Sequence, residues 1–209
     1  MDNTDTADRA LTNGVIAAFI ERMDLLRPDP DYLDDAHGLY CCRLALDALE
    51  QGNYGVGAIL TDPQGEVVAQ SENRVFSSGH NDRDQSCRAY SRAYNSSAHA
   101  EMLLIDQLEE SQIPYPPEQL TMLVTLEPCP MCLGRLLLSG IGSVRYIARD
   151  PEGGMLNHMD KLPPAWRNLA QLQNHYQAHV SEPVRQLAMD IGSANLAALR
   201  HKLLKQIRP

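Results

Sequence analysis

The sequence predicts an α/β fold, a three-layer α/β/α sandwich around a mixed five-stranded sheet. Three observations predict it. Short runs of strand character at 56–61, 66–71, 121–126, 143–148 and 176–181 alternate, after a first hairpin, with segments of helical period. Such alternation requires crossovers, so most neighbouring strands are expected to be parallel. A chain of 209 residues is long enough to bury its own core, and one domain over 1–209 is expected.

Each element follows from a local pattern. Residues 5–26 read as a first helix, with Ala10, Leu11, Ile16, Phe19, Ile20 and Met23 at near-helical spacing, stopped by Pro28 and Pro30. This is an N-terminal addition covering 1–30. A second helix is expected over Asp31–Glu50, with Leu33, Ala36, Leu39, Leu46 and Leu49 inward and Gly52 just beyond it. The period then changes to that of strands at Val56–Thr61 and Glu66–Ser71, joined by the turn Asp62-Pro63-Gln64-Gly65. Residues 74–97 are polar and rich in Ser and Arg, and helix returns at Ala98–Glu110, with Ser97 as candidate cap. Thr121–Leu126 is a buried strand, Met131–Leu138 a short helix ended by Gly140, and Ser143–Ala148 a further strand. Pro163–Leu172 is expected to be helical and Tyr176–Ser181 a last strand. Residues 182–209 form C-terminal helices, with a break near Gly192.

Composition excludes several classes. With 44% hydrophobic and 22% charged residues, the chain is neither disordered nor membrane-embedded, and its longest apolar runs fall well short of a spanning helix. The N-terminus, MDNTDTADRA, is acidic where a secretory signal would be basic, so a cytoplasmic location is expected. Five cysteines in such a setting argue for free thiols or metal ligands rather than disulfides. A net charge of −9 disfavours nucleic acid as a partner. The charge is uneven, however: residues 1–40 carry −6, whereas 74–97 carry +2 and 181–209 carry +3. The basic tail reads as a helix C-terminus matched to its dipole, with a nucleic-acid footprint as the alternative.

Two stretches carry chemistry. His99-Ala100-Glu101 is followed, after 26 intervening residues, by Pro128-Cys129-Pro130-Met131-Cys132. Imidazole and thiolate are preferred zinc ligands, and a catalytic zinc site uses three protein ligands and leaves one position for water. His99, Cys129 and Cys132 supply such a set. Cys129 and Cys132, at i and i+3 at a helix start, point the same way, and the helix dipole favours their thiolates. Glu101 stands two residues from His99, the wrong spacing for a second ligand from the same helix face. It is placed instead to move protons beside the metal.

The pattern H-x-E…P-C-x-x-C is that of zinc nucleobase deaminases. The chain resembles the cytidine and deoxycytidylate deaminase superfamily, most of all its bacterial guanine deaminase and tRNA adenosine deaminase branch. Supporting stretches are Val56-Gly57-Ala58-Ile59-Leu60, Asn73-Arg74-Val75, Thr125-Leu126-Glu127 and Ala148-Arg149-Asp150. The similarity runs from about residue 38 to 150 and more thinly to 181. It implies one zinc per chain on His99, Cys129 and Cys132, Glu101 as proton shuttle, and Asn73 orienting the base. It implies a hydrolase that releases ammonia from a small amino-heterocycle, with a guanine-like purine favoured. The alternatives are a tRNA adenosine deaminase, a cytosine or cytidine-type deaminase, and a catalytically inert zinc-stabilised binding protein. Relatives often dimerise, and the run Leu136-Leu137-Leu138 is compatible with a homodimer or with a buried helix.

Other candidates have plainer readings. His175 and His179, at i and i+4, lack the Glu that a zinc protease would place between them, and read as strand or surface residues. Cys41 and Cys42 read as helix packing, and Cys87 has no partner at ligand spacing. Trp166 is a core anchor or a pocket wall, His158 a solvated loop residue or one that approaches substrate, and Asn73 a strand-end turn residue or a substrate contact. The 74–97 insertion, with Arg88 and Arg92 on one face and Tyr90 and Tyr94 on another if helical, is surface decoration or a lid over the site. Unchanged kcat/KM on deleting about 78–95 would exclude the lid.

Overall fold

The computed structural model describes residues 3–77, 94–110 and 113–207, with side chains between 14 and 204 of these. The elements are α1 Asn3–Leu25, α2 Asp35–Glu50, β1 Gly57–Thr61, β2 Val67–Glu72, α3 Ala100–Glu110, β3 Thr121–Leu126, α4 Pro130–Ser139, β4 Ser143–Ala148, α5 Pro164–Ala170, β5 Asn174–Gln177, α6 Glu182–Ser193 and α7 Leu196–Ile207. The five strands form one mixed sheet in the order β2-β1-β3-β4-β5.

Parallel pairs are half of the ladder rather than most of it. β1 is antiparallel to both β2 and β3, whereas β3–β4 and β4–β5 are parallel. The helix α3 does make a crossover between β2 and β3, but β1 lies between them, so that crossover yields no parallel pair. The crossovers through α4 and α5 do.

The period-two rule of strands divides the core. Ile59, Leu123 and Ile147 face α1, α2 and α6, meeting Cys41, Cys42, Leu46, Val184 and Leu187. Their neighbours Ala58, Leu60, Met122, Val124, Val144 and Tyr146 face α3 and α4, meeting Leu104, Ile105, Leu133 and Leu136. Helices therefore cover both faces, which is the expected three-layer sandwich. Cys41 and Cys42 are core packing as read from the sequence, and Trp166 packs as an anchor against the second cluster. Leu136 is fully buried there, so Leu136→Ala is expected to lower unfolding free energy by about 2–5 kcal/mol. A urea titration with unchanged m-value checks this.

Two boundaries differ from expectation. α2 begins at Asp35, not Asp31, because residues 29–35 make turns first: Tyr32 N donates to Asp29 O at 3.0 Å and Asp35 N to Tyr32 O at 3.1 Å. Leu33 falls in those turns, 83% exposed, and Ala36 lies off the buried stripe of the helix, so neither points inward. The last strand runs over Asn174–Gln177 rather than Tyr176–Ser181, so it begins earlier and ends earlier than expected. Ala178 N still bonds Tyr146 O at 2.8 Å, but His179 N then turns to Asp34 Oδ2 at 2.8 Å and Ser181 N to Asp35 Oδ1 at 2.6 Å. The buried carboxylates at the head of α2 thus take the chain away from the sheet. His179 stacks on Tyr32 rather than approaching a metal.

α1 matches its expected span, with Ile16 and Met23 buried; Ala10 and Leu11 lie outside the described side chains. Of the 74–97 insertion, Cys87, Arg88, Tyr90 and Arg92 lie outside the described residues. Its two stems are clasped: Asn95 N bonds Val75 O at 2.8 Å and Arg74 N bonds Ala98 O at 2.9 Å. Among the described residues no helix is long and apolar enough to cross a membrane.

Candidate metal centre and its cavity

The site forms where β3 ends and two helices begin. β3 leads through Glu127 and Pro128 to Cys129, which caps α4 with extended backbone (φ −72°, ψ 169°). Pro130 occupies the first helical position, where its missing N–H costs nothing. Cys129 O accepts Leu133 N at 2.9 Å, so Cys132 lies in the first turn beside Cys129. Gly140 ends this helix in the left-handed region (φ +76°). His99 stands immediately before α3 and accepts Leu103 N on its carbonyl at 3.0 Å. The expected cap, Ser97, is turned away, with both its N–H and its hydroxyl bonded to Asn95 Oδ1. Arg135 of α4 ties the two helices together, donating to Met102 O at 3.1 Å and pairing with Asp106 at 2.6 Å and Glu109 at 2.8 Å.

The three donors converge. Cys129 Sγ and Cys132 Sγ are 3.6 Å apart, and His99 Nδ1 lies 3.8 Å from the first and 3.5 Å from the second. Tetrahedral zinc, with Zn–S of about 2.3 Å and Zn–N of about 2.0–2.1 Å, spaces its ligand atoms about 3.5–3.8 Å apart. The donor set therefore fits zinc in both chemistry and spacing. Among the described residues it is the one group of three or more His, Cys, Asp or Glu that could hold a metal, and His175 and His179 are not part of it.

Without a metal the three donors share protons unequally: Cys129 alone is held as thiolate, and the expected thiolate character of Cys132 is not seen. The Cys129 thiol is lowered to about 4, first by its hydrogen bond with Cys132 and then by His99 and the Cys132 N–H, against a burial penalty. Cys132 is pushed up by that same hydrogen bond and by burial. Burial pulls His99 down, but its hydrogen bond to Cys129 and the charge of Glu101 carry it above the usual imidazole value. Burial raises Glu101, which is 4% exposed, and the charge of His99 opposes this.

The centre opens onto a cavity of about 420 Å³. His99, Glu101, Cys129 and Asn73 line it, whereas Cys132 is fully buried behind Cys129 and His99 and does not. Asn73 serves both of its readings: it lines the cavity, and its Oδ1 accepts Val75 N at 3.1 Å in a turn that fixes the side chain. His158 and Trp166 do not line it. Sequence reasoning missed the remaining walls. Tyr54, Tyr94, Glu127 and Asp150 line the cavity, and so do Leu196, Arg200 and Leu203 from α7. Those three α7 residues stand at i, i+4 and i+7, a helix-face signal present in the sequence but read there only as a basic C-terminal helix matched to its dipole, or a nucleic-acid footprint. α7 is held by Leu199 against Val75 and Phe76, by Lys202 over the Phe76 ring at 4.2 Å, and by Arg200 to Glu152 at 3.0 Å. It therefore spans the cavity from the Phe76 side to the loop after β4.

The model of the cytidine and deoxycytidylate deaminase zinc-binding region matches residues 34–148. The chain belongs to this family. The match includes His99, Cys129 and Cys132, and the family and the donor group together indicate one zinc. Within the deaminase family, a tRNA-specific adenosine deaminase of Bacillus subtilis (strain 168) is 39% identical over 110 residues, 53% of this chain and 58% of that one. The chain thus spans less than two thirds of that relative's length. Two solved structures share the deaminase fold. One, from a study of A-to-I editing by tRNA:A34 deaminases, is 23% identical, covers 75% of this chain and 99% of its own, and has a TM-score of 0.52. The other, guanine deaminase from Nitrosomonas europaea, is 18% identical, covers 81% and 97%, and has a TM-score of 0.51.

Proposed function

We propose that this protein is a zinc-dependent hydrolytic deaminase that releases ammonia from a small amino-heterocycle, a purine-like nucleobase or nucleoside. The observation that carries the reaction is the buried carboxylate of Glu101 lining the same cavity as His99 and Cys129 of the three-residue donor group. A structural zinc would need a fourth protein ligand and no such carboxylate.

Each residue has a role in this reading. His99, Cys129 and Cys132 hold the metal, which when bound lowers the pKa of a water and polarises its surroundings. Glu101 takes one proton from the attacking water and delivers it to the ring nitrogen, then takes the second from the added hydroxyl and delivers it to the amine, so that the C–N bond breaks, ammonia leaves and the carbonyl forms. The free N–H groups of the first turn of α4 face developing negative charge. Asn73, fixed by its turn, orients the base. Asn73→Ala is expected to raise KM at least about tenfold, the worth of one lost hydrogen bond of about 1.4 kcal/mol, with a smaller change in kcat. Steady-state kinetics on the preferred substrate check this.

Size and charge support a small substrate. About 420 Å³ lies within the range of roughly 300–1,000 Å³ of small-ligand pockets. Leu196, Arg200 and Leu203 of α7 take up one wall of the cavity, where a folded RNA loop would need room. Of the ionisable groups that line the cavity among the described residues, the zinc ligands apart, Glu101, Glu127 and Asp150 are acidic, and Arg200 is already paired with Glu152. Such a lining suits a neutral ring better than a polyanion. A tRNA adenosine deaminase is the second reading, favoured by the similarity to the Bacillus relative. A domain over 1–209, a homodimer through the exposed Leu138 and Met131 edge of α4, and a cytoplasmic setting belong to the same proposal.

Ammonia release from a panel of amino-heterocycles and an anticodon stem-loop tests it. Release from a free base or nucleoside supports the first reading, and release from the RNA alone establishes the second. No release despite bound zinc would leave an inert zinc-stabilised binding protein.

A further inference from the structure

Glu127 stands two residues before Cys129 and has no place in the proton transfers above, yet it is 5% exposed and lines the cavity. Its carboxylate is spent on one loop. Oε1 accepts Asn157 N at 2.9 Å and Oε2 accepts Asp150 N at 3.3 Å. Main-chain bonds run beside these: Glu127 N donates to Ala148 O at 2.8 Å, and Met155 N donates to Pro128 O at 2.9 Å. The loop from Asp150 to Asn157 is thereby fastened to the turn that carries the zinc-ligating cysteines.

The loop is shaped to receive the carboxylate. A Cβ on Gly154 would meet Glu127 Cδ at 2.5 Å and Asp150 O at 2.7 Å, so only glycine lets the two come together. Asp150 Oδ1 accepts Gly153 N at 2.9 Å and Glu152 N at 3.2 Å, which curls the loop so that Asp150 and Gly153 both face the cavity. The same loop carries Glu152, the anchor of Arg200 on α7. One buried carboxylate therefore stands where the metal turn, one cavity wall and the anchor of the α7 roof meet.

We propose that Glu127 is a positioning residue: through its two backbone hydrogen bonds it holds the Asp150–Asn157 loop against the cysteine turn and so sets the substrate-binding wall without taking part in the proton transfers. This rests on the deaminase reading for its kinetic consequence but not for its structural one. In Glu127→Gln the side chain keeps its shape but can accept only one of the two N–H groups, because its amide nitrogen is a donor.

The tests are hydrogen exchange at the Asp150 and Asn157 amides, zinc content, and kinetics on whichever panel substrate releases most ammonia. In Glu127→Gln, exchange at one or both amides should rise at least tenfold, zinc should stay at one per chain, and KM should rise at least tenfold with kcat changed less than threefold. Gly154→Ala disturbs the same contact from the loop side. Its effect on KM should shrink in the Glu127→Ala/Gly154→Ala double variant, where the clashing carboxylate is gone. Unchanged exchange, additive effects, loss of zinc, or a fall in kcat at constant KM would each overturn the proposal. A wild-type protein that deaminates nothing would defeat the deaminase reading alone, since the exchange measurement needs no turnover.

Discussion

Glu101→Gln keeps one zinc per chain and lowers ammonia release by about 10²–10⁴-fold, the range attributed to a positioned general acid–base group. The expectation follows from where the carboxylate sits. It lies in the first turn of α3, two residues after His99, nearly wholly buried and lining the cavity beside the three donors. Gln has the same shape and fills the same space, so the helix and the donor spacing should survive. It cannot carry the water's two protons, one to the ring nitrogen and one to the amine. Metal analysis and steady-state kinetics on one preparation check both halves. Normal turnover in Glu101→Gln would remove the proton-shuttle role, and loss of zinc would make Glu101 part of the metal's support instead.

The second large effect is on the metal. Cys132→Ser should abolish both stoichiometric zinc and turnover. Cys132 is fully buried, 3.6 Å from the Cys129 sulfur and 3.5 Å from the His99 nitrogen, so no other described side chain can replace it without moving the start of α4. A serine oxygen is a poorer and shorter zinc donor than a thiolate. Because zinc binds only the folded centre, its loss should also weaken the fold. At zinc a hundredfold above its Kd the linkage is about 2.7 kcal/mol. Chelator-treated wild type should show a comparable drop in denaturant stability, reversed by added zinc. A Cys132→Ser protein that holds full zinc would contradict the donor assignment.

How far the sequence could be read follows from what each feature demands chemically. The zinc donors were legible because metal coordination constrains residue type and spacing directly: a Cys pair at i, i+3 behind a proline must face one point. The strands were legible because Ile59, Leu123 and Ile147 alternate with the side chains of the opposite face, and that period survives whatever packs on it. The end of β5 was not legible. The apolar residues Ala178 and Val180 continue a strand-like pattern, but the carboxylates of Asp34 and Asp35, some 145 residues distant in sequence, take the backbone N–H groups that would have extended the ladder. Leu33 misled for a related reason: its apolarity suggested burial, while the turns before α2 leave it in solvent. α7 shows the general limit. Leu196, Arg200 and Leu203 announce a shared face, but nothing local says that this face walls a cavity built by residues spread from Tyr54 to Gly153. Glu127 was visible as part of a matching stretch, yet its two loop partners are backbone N–H groups, which leave no mark on residue type.

The central claim is that the protein replaces an exocyclic amine with oxygen from water. Mass spectrometry of the product formed in oxygen-18 water tests it most directly, using the substrate that releases most ammonia. The account predicts one ammonia released and one oxygen-18 atom gained per product molecule, both dependent on zinc and both lost in Glu101→Gln. A product that lacks the label, or that forms at the same rate after zinc removal, would contradict it.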